Sequence, residues 1–295
     1  MRQFNNLPKA FYTEKEKRNE AKKLQTELDL PSIPKLSQSF IKSLYKYKTG
    51  DLCGIVLEEK FFNKRDFPSS NAQDLGNYFE YKATGQLPRN EVVPEAKMLK
   101  NGNVATDYAR MDKQVQNFEF AMKHLNFEIE KTGFVFTNPK YSGIADIIAL
   151  DNNIKSKVKN KKRIIIDLKT SGLINDKYTD FGWHEDTMSE KWDLNIQAIH
   201  YKMLAKWEWG IEDIPFYFFV FSTKNDWEYK IYEIKVNDST KRQHYENLQN
   251  VKVYMNEEME KGWQPRPKYE NCRTCMLNME CSHAENFAQV KPIYI

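Results

Sequence analysis

"GIADIIALDNNIKSKVKNKKRIIIDLKT", residues 143–170, holds two short apolar runs, rich in Ile, separated by a polar, basic stretch. Each run has the length of a strand and is bounded by Gly, Asn, Asp or Lys, so the segment reads as two strands and a turn. Asp167 and Lys169 lie two residues apart and share one face of the second strand. Asp146 stands near the start of the first. If the strands pair as a hairpin, three charged groups meet on a sheet otherwise built of Ile, Ala and Leu. An exposed edge strand would tolerate this, with Asp146 capping a turn. However, the residues around Asp167 are apolar on both faces, the pattern of a buried central strand.

Two buried carboxylates repel one another and lose hydration, so such a site normally binds a divalent cation. Oxygen ligands that leave room for several waters suit Mg²⁺ or Mn²⁺. Lys169 is placed to contact an attacking water or the charge that develops on a phosphate. The set is suited to phosphodiester hydrolysis.

Outward from the hairpin, "FEIEKTGFVFTN" precedes it, and "PFYFFVFST" and "EYKIYEIKV" follow, all with strand character. Helical patterns are expected near Ser37, over residues 70–85, 106–125, 189–209 and 239–262, with Met111, Val115, Phe118 and Met122 forming one apolar stripe. The order predicts an α/β core with a meandering first half and a crossover helix in the middle. Residues 1–36 read as a polar arm or helix, 37–126 as a helical region, 127–262 as the core and 263–295 as a cysteine-bearing tail.

The 295 residues, 40% of them hydrophobic and 14% aromatic, are enough for one large core with a small appended module. No apolar run approaches a membrane span and the first residues do not resemble a secretory signal, so a cytoplasmic protein is expected. Disulfides are then not expected, and the clustered cysteines of "NCRTCMLNMEC", residues 271–281, point to a metal or to catalysis. A net charge of +4 does not announce a nucleic-acid binder, so local patches must carry that reading. The run from Lys155 to Arg163 holds six basic residues, Lys161, Lys162 and Arg163 among them. It is either a solvated turn or a phosphate-backbone contact. Tyr178, Phe181, Trp183 and Trp192 follow the second strand and either stack on unpaired bases or pack on the sheet. His184 reads as a surface or packing histidine.

Asp146 followed by Asp167-Leu168-Lys169 resembles the motif of the PD-(D/E)XK nuclease superfamily, with Ala145 in the place of the proline. The resemblance implies a restriction-endonuclease-like core, a central mixed sheet flanked by helices. It also implies metal ligation by Asp146, Asp167 and the Leu168 carbonyl, with Lys169 assisting the hydrolytic water. Gln197 and Tyr201 in "IQAIHYKML" match the Q-x-x-x-Y helix of the RecB-like exonuclease branch and would orient the substrate strand. Gly76 and Glu80 in "GNYFE" are similar to a segment that brings one more metal ligand, although Glu80 also reads as a solvated helix residue.

One subgroup of that branch, including the AddB nuclease domain and CRISPR-associated exonucleases, carries an iron–sulfur cluster on one cysteine ahead of the core and three behind it. Cys53 precedes the core, and Cys272, Cys275 and Cys281 follow with the subgroup's C-x2-C-x5-C spacing. Four thiolates are the usual set for a [4Fe–4S] cluster, and the chain has four cysteines. Zinc on Cys272, Cys275, Cys281 and His283 is the alternative, with Cys53 a buried thiol. The resemblance thus implies a Mg²⁺- or Mn²⁺-dependent deoxyribonuclease, an exonuclease acting on DNA ends or single strands in recombination, repair or phage-type DNA metabolism. Its expected setting is the cytoplasm of a bacterium or a phage-infected host, with a helicase or recombination protein as partner and no membrane. An inactive DNA-binding scaffold, or a structure-specific or RNA-directed endonuclease, are the other readings.

Overall fold

The computed structural model of the chain describes residues 34–88, 91–179 and 181–284; the expected N-terminal arm lies, as far as residue 33, outside them. Helix α1 (Gln38–Thr49) begins where the Ser37 hydroxyl accepts the Phe40 N–H, and α2 (Gly54–Phe61) begins after Cys53. Helix α3 (Asn71–Thr84) opens on a reciprocal capping box between Ser70 and Gln73. Helix α4 (Thr106–His124) buries Met111, Phe118 and Met122, three of the stripe's residues. Besides the two-residue strand Leu36–Ser37, the strands are β1 (Phe127–Thr137), β2 (Tyr141–Asp151) and β3 (Arg163–Ser171), then, after α5 (Trp192–Trp209), β4 (Phe216–Ser222) and β5 (Tyr229–Glu233). The chain goes on through α6 (Asp238–Lys261) and the short α7 (Tyr269–Cys272). Helix α5 starts three residues later than its expected Ser189, because residues 185–190 tighten into a 3-10 turn.

Contacts divide the described chain into two units. Ser69–Asp238 holds all five of these strands with α3, α4 and α5. Residues 34–68 group with residues 239–284, so the boundary falls near Ser69, inside the expected helical region. Within this second unit Tyr47 explains the grouping. Its phenol donates to the Glu258 carboxylate at 2.9 Å and accepts the Gln264 N–H at 3.1 Å, and the Arg266 guanidinium lies 4.1 Å from its ring centre.

In the first unit β1 runs antiparallel to β2, β2 antiparallel to β3, β3 parallel to β4 and β4 antiparallel to β5. The expected hairpin and crossover are both present: β2 and β3 pair directly, and α5 makes the long connection that a parallel pair requires. β3 is central. On one face α3 and α4 pack Leu75, Phe79 and Phe118 against Ile147, Ile166, Leu168 and Phe221. On the other, the Tyr201 ring of α5 stacks on Phe216 at 6.0 Å. The fold is therefore a mixed α/β sheet with helices on both faces.

Candidate active site

The site lies where two paired strands part. The β2–β3 ladder runs from Leu150 opposite Arg163 to Ile147 opposite Ile166 and stops there. β2 continues beside β1 and β3 continues beside β4, so the two diverge into a fork. Asp146 and Asp167 are the first residues beyond the last rung. The Asp146 carboxylate reaches across and accepts the Leu168 N–H at 2.8 Å. Helix α5 also holds the stretch of β2 that has no β3 partner: His200 Nε2 donates to the Ser142 carbonyl at 2.9 Å and the Tyr201 hydroxyl to the Ile144 carbonyl at 2.6 Å. Burial pushes His200 down to about 4, against the Ser142 hydrogen bond, so its ring is neutral with the proton on Nε2. Gly143 makes the close docking possible, since a Cβ there would stand 2.6 Å from Leu204 Cδ1 and 2.9 Å from Tyr201 Cε1.

Charge is concentrated in the fork. Asp167 is only 3% exposed, and its carboxylate is ion-paired with Lys169 on one oxygen and accepts from the Gln197 amide on the other. Burial, then the charges of Asp167 and Glu80, push the Asp146 carboxyl well above the usual range, against the pull of Lys169 and the Leu168 N–H. Burial alone would lower the Lys169 ammonium, but Asp167, Asp146 and Glu80 outweigh it and hold it up. The same carboxylates thus keep Lys169 charged beside them. Glu80 contributes to the field of both groups from α3, whose Gly76 sits against the Thr170 hydroxyl.

The structure therefore brings Glu80, Asp146, Asp167, Lys169 and Gln197 to one locality. It places Tyr201 behind that locality, with its phenol on a backbone carbonyl. His200, three residues after Gln197 in the same helix, has a part in the fork that sequence reasoning missed. No spacing rule signals a histidine whose partner is a carbonyl of a distant strand.

The basic run lies elsewhere. A bulge at Glu130, where the β1–β2 register shifts, turns that carboxylate to receive the Arg163 guanidinium in a fork at 2.7 and 2.8 Å and the Lys159 ammonium at 2.9 Å. Arg163 also lies 4.7 Å over the Trp209 ring. Arg163 is thus committed within the fold, and it stands four residues from Asp167, about 13 Å along the strand. Lys161 and Lys162 belong to the turn at that far end. Trp183 packs on Phe218 at 5.7 Å, and the His184 ring caps the 3-10 turn by accepting the Asp186 N–H at 3.3 Å. Trp192 opens α5, and its side chain lies outside the described residues.

Among the described residues no three His, Cys, Asp or Glu side chains are gathered closely enough to hold a metal ion. The carboxylates of Asp146 and Asp167 are two ligands, which is the number Mg²⁺ commonly takes from a protein while it keeps several waters. The donor chemistry of the fork fits that ion. The cysteines are differently placed. All four belong to the second unit and are half-buried, and Cys53 Sγ accepts the Arg266 N–H at 3.3 Å. Cys275 N–H donates to the Cys272 carbonyl at 3.1 Å and Cys281 N–H to the Leu277 carbonyl at 2.8 Å, so the tail segment is a series of tight turns. Its sulfurs are not collected into a ligand set, and His283 is exposed.

No protein-family model matches the chain, and no curated protein matches its sequence. Among solved structures, one from Eubacterium rectale, described as a candidate exonuclease, matches over 88% of this chain and 91% of its own. The TM-score is 0.57 at 18% identity, a likeness of fold. Another, of SSO0001, covers 90% of this chain and 93% of its own at 13% identity, but its TM-score of 0.32 carries no argument.

Proposed function

We propose that this protein is a metal-dependent nuclease that hydrolyses phosphodiester bonds in DNA, working from an end. The observation that carries the reading is the fork itself: two carboxylates and a lysine held beyond the last rung of β2 and β3. Folding two like charges into a poorly hydrated position is unfavourable, and such a cost persists where the arrangement serves function. Asp146 and Asp167, with the Leu168 carbonyl and Glu80 beside them, would hold Mg²⁺ or Mn²⁺, and a bound ion of this kind would supply a polarised phosphate and an activated water. Lys169 holds its positive charge beside that position and stabilises the negative charge that builds on the phosphate. Gln197 fixes the Asp167 carboxylate. His200 and Tyr201 fix the strand that presents Asp146.

The comparison with the Eubacterium rectale structure supports this reading at the level of fold. For the cysteines, the four-thiolate iron–sulfur arrangement rests on their number and spacing and on their lying in one unit, and holding a cluster would require the sulfurs to draw together from the positions they take here. Zinc with His283 is the competing occupant.

Substitution of Asp167 by Asn tests the function. Hydrolysis of linear DNA in Mg²⁺ or Mn²⁺ is expected to fall by at least about a hundredfold, with DNA binding retained. Unchanged hydrolysis would remove the fork from the mechanism. Circular and linear DNA compared side by side separate an endonuclease from an enzyme that needs an end.

A further inference from the structure

β3 leads out of the fork into the loop of residues 172–184, and β4 into the turn of residues 223–228. Both leave from the end of the sheet that carries Lys169. The first loop is anchored beside the site through a chain of rings: Lys169 Nζ lies 5.8 Å over the Phe218 ring, and Phe218 lies 5.7 Å from Trp183. It closes on itself where Trp183 N–H donates to the Leu173 carbonyl at 3.1 Å. It passes so tightly over Asp176 that a Cβ on Gly182 would stand 1.9 Å from the Asp176 carbonyl oxygen. The second turn is held from α4, where the Gln114 amide donates to the Ser222 and Asn225 carbonyls at 3.0 and 2.6 Å and Asn117 to the Asp226 carbonyl at 2.8 Å. Thr223 N–H donates to the Ser171 carbonyl at 2.9 Å, and the Asn175 amide bonds the Glu228 carboxylate, so the two loops are tied together.

These stiff, mutually tied loops present large aromatic side chains to water. Tyr178 is 86% exposed, Phe181 78% and Trp227 72%. Leaving three such rings hydrated forgoes apolar burial that packing would have supplied. Lys177 and Lys224 are exposed beside them. Exposed rings with lysines near them in sequence, on tied loops that leave from the end of the sheet carrying Lys169, match the requirements of a strand with unpaired bases. Every base offers a π-face and every linkage a negative charge.

We infer that Tyr178, Phe181 and Trp227 form a stacking platform for the unpaired bases of a nucleic-acid strand, which passes over it to the fork, so that the substrate is single-stranded or frayed. The inference rests on the nuclease reading for what happens at the fork, but the platform is tested by binding alone. Fluorescein-labelled oligothymidylate of twenty nucleotides, and a blunt duplex of the same length, are titrated against the full chain without added divalent cation. The chain is compared with Tyr178→Ala, Phe181→Ala, Trp227→Ala, the triple variant and Trp227→Phe.

Each alanine is expected to weaken single-strand binding about 5- to 150-fold, with duplex binding changed less than about twofold and Trp227→Phe close to the unaltered chain. Unchanged single-strand affinity in the triple variant overturns the platform. So does an equal loss for single strand and duplex. If the triple variant keeps its single-strand affinity but sediments as a smaller species, the rings serve a protein contact and the platform is again overturned. Hydrolysis of single strands at the unaltered rate by the triple variant, alongside its loss in Asp167→Asn, overturns the platform and leaves the nuclease. Aromatic-dependent binding by a chain that hydrolyses nothing keeps the platform and overturns the nuclease.

Discussion

Asp146 is buried in the field of Asp167 and Glu80, and its charge is unfavourable where it stands. Asn in its place keeps the shape and an acceptor for the Leu168 N–H while removing the repulsion. Asp146→Asn is therefore expected to unfold at an equal or higher urea midpoint than the unaltered chain, while its hydrolysis falls at least about a hundredfold. A clear loss of stability would show that the charge supports the fold. His200 yields a second expectation. Its pKa is about 4 when folded against an ordinary 6.5, so between those values the unfolded chain binds a proton that the folded one does not. Stability from this group is thus complete above pH 6.5 and drains as pH falls toward 4, by at most about 3 kcal/mol. Urea midpoints measured across that window should fall less steeply in His200→Gln.

Elements place these residues, and here the sequence was only partly legible. The short Ile-rich apolar run revealed the strand, and the two-residue spacing of Asp167 and Lys169 its charged face. The apolar flanks correctly marked β3 as central. The point at which β2 and β3 separate was not legible, because the end of a strand pairing is a tertiary effect with no local signal. Tyr201 and Arg163 show the same limit, since no spacing encodes that the one bonds the Ile144 carbonyl and the other the Glu130 carboxylate. Helix α5 is seated on Gly143, and Gly143→Ala drives a methyl into Tyr201 and Leu204. Such overpacking is expected to cost about 1–3 kcal/mol in denaturant unfolding and to reduce hydrolysis by loosening Asp146. Full activity with unaltered stability would show that α5 does not position the fork.

For the molecule as a whole, the α/β class was legible, and the four-cysteine resemblance already implied that the region of Cys53 meets the tail, whereas the particular contacts joining residues 34–68 to residues 239–284 were not. Contacts such as Tyr47 with Glu258 join positions more than two hundred residues apart, and no periodicity encodes them. Anaerobically purified protein is expected to be brown, with about four irons and matching sulfide per chain, and Cys53→Ser to lose both. One zinc and no colour would instead leave Cys53 unligated. Among the described residues no helix is long and apolar enough to cross a membrane.

The unit built from residues 34–68 and 239–284 has consequences for synthesis. Its first half leaves the ribosome before the whole of Ser69–Asp238 has been made. At about 5–20 residues per second, the intervening stretch of about 170 residues takes on the order of 10–30 s. For that interval Tyr47 has no Tyr254 or Trp263 ring to pack on and no Glu258 carboxylate to bond. Residues 34–68 thus wait, as the chain is made, for partners that are synthesised only after the whole of the other unit.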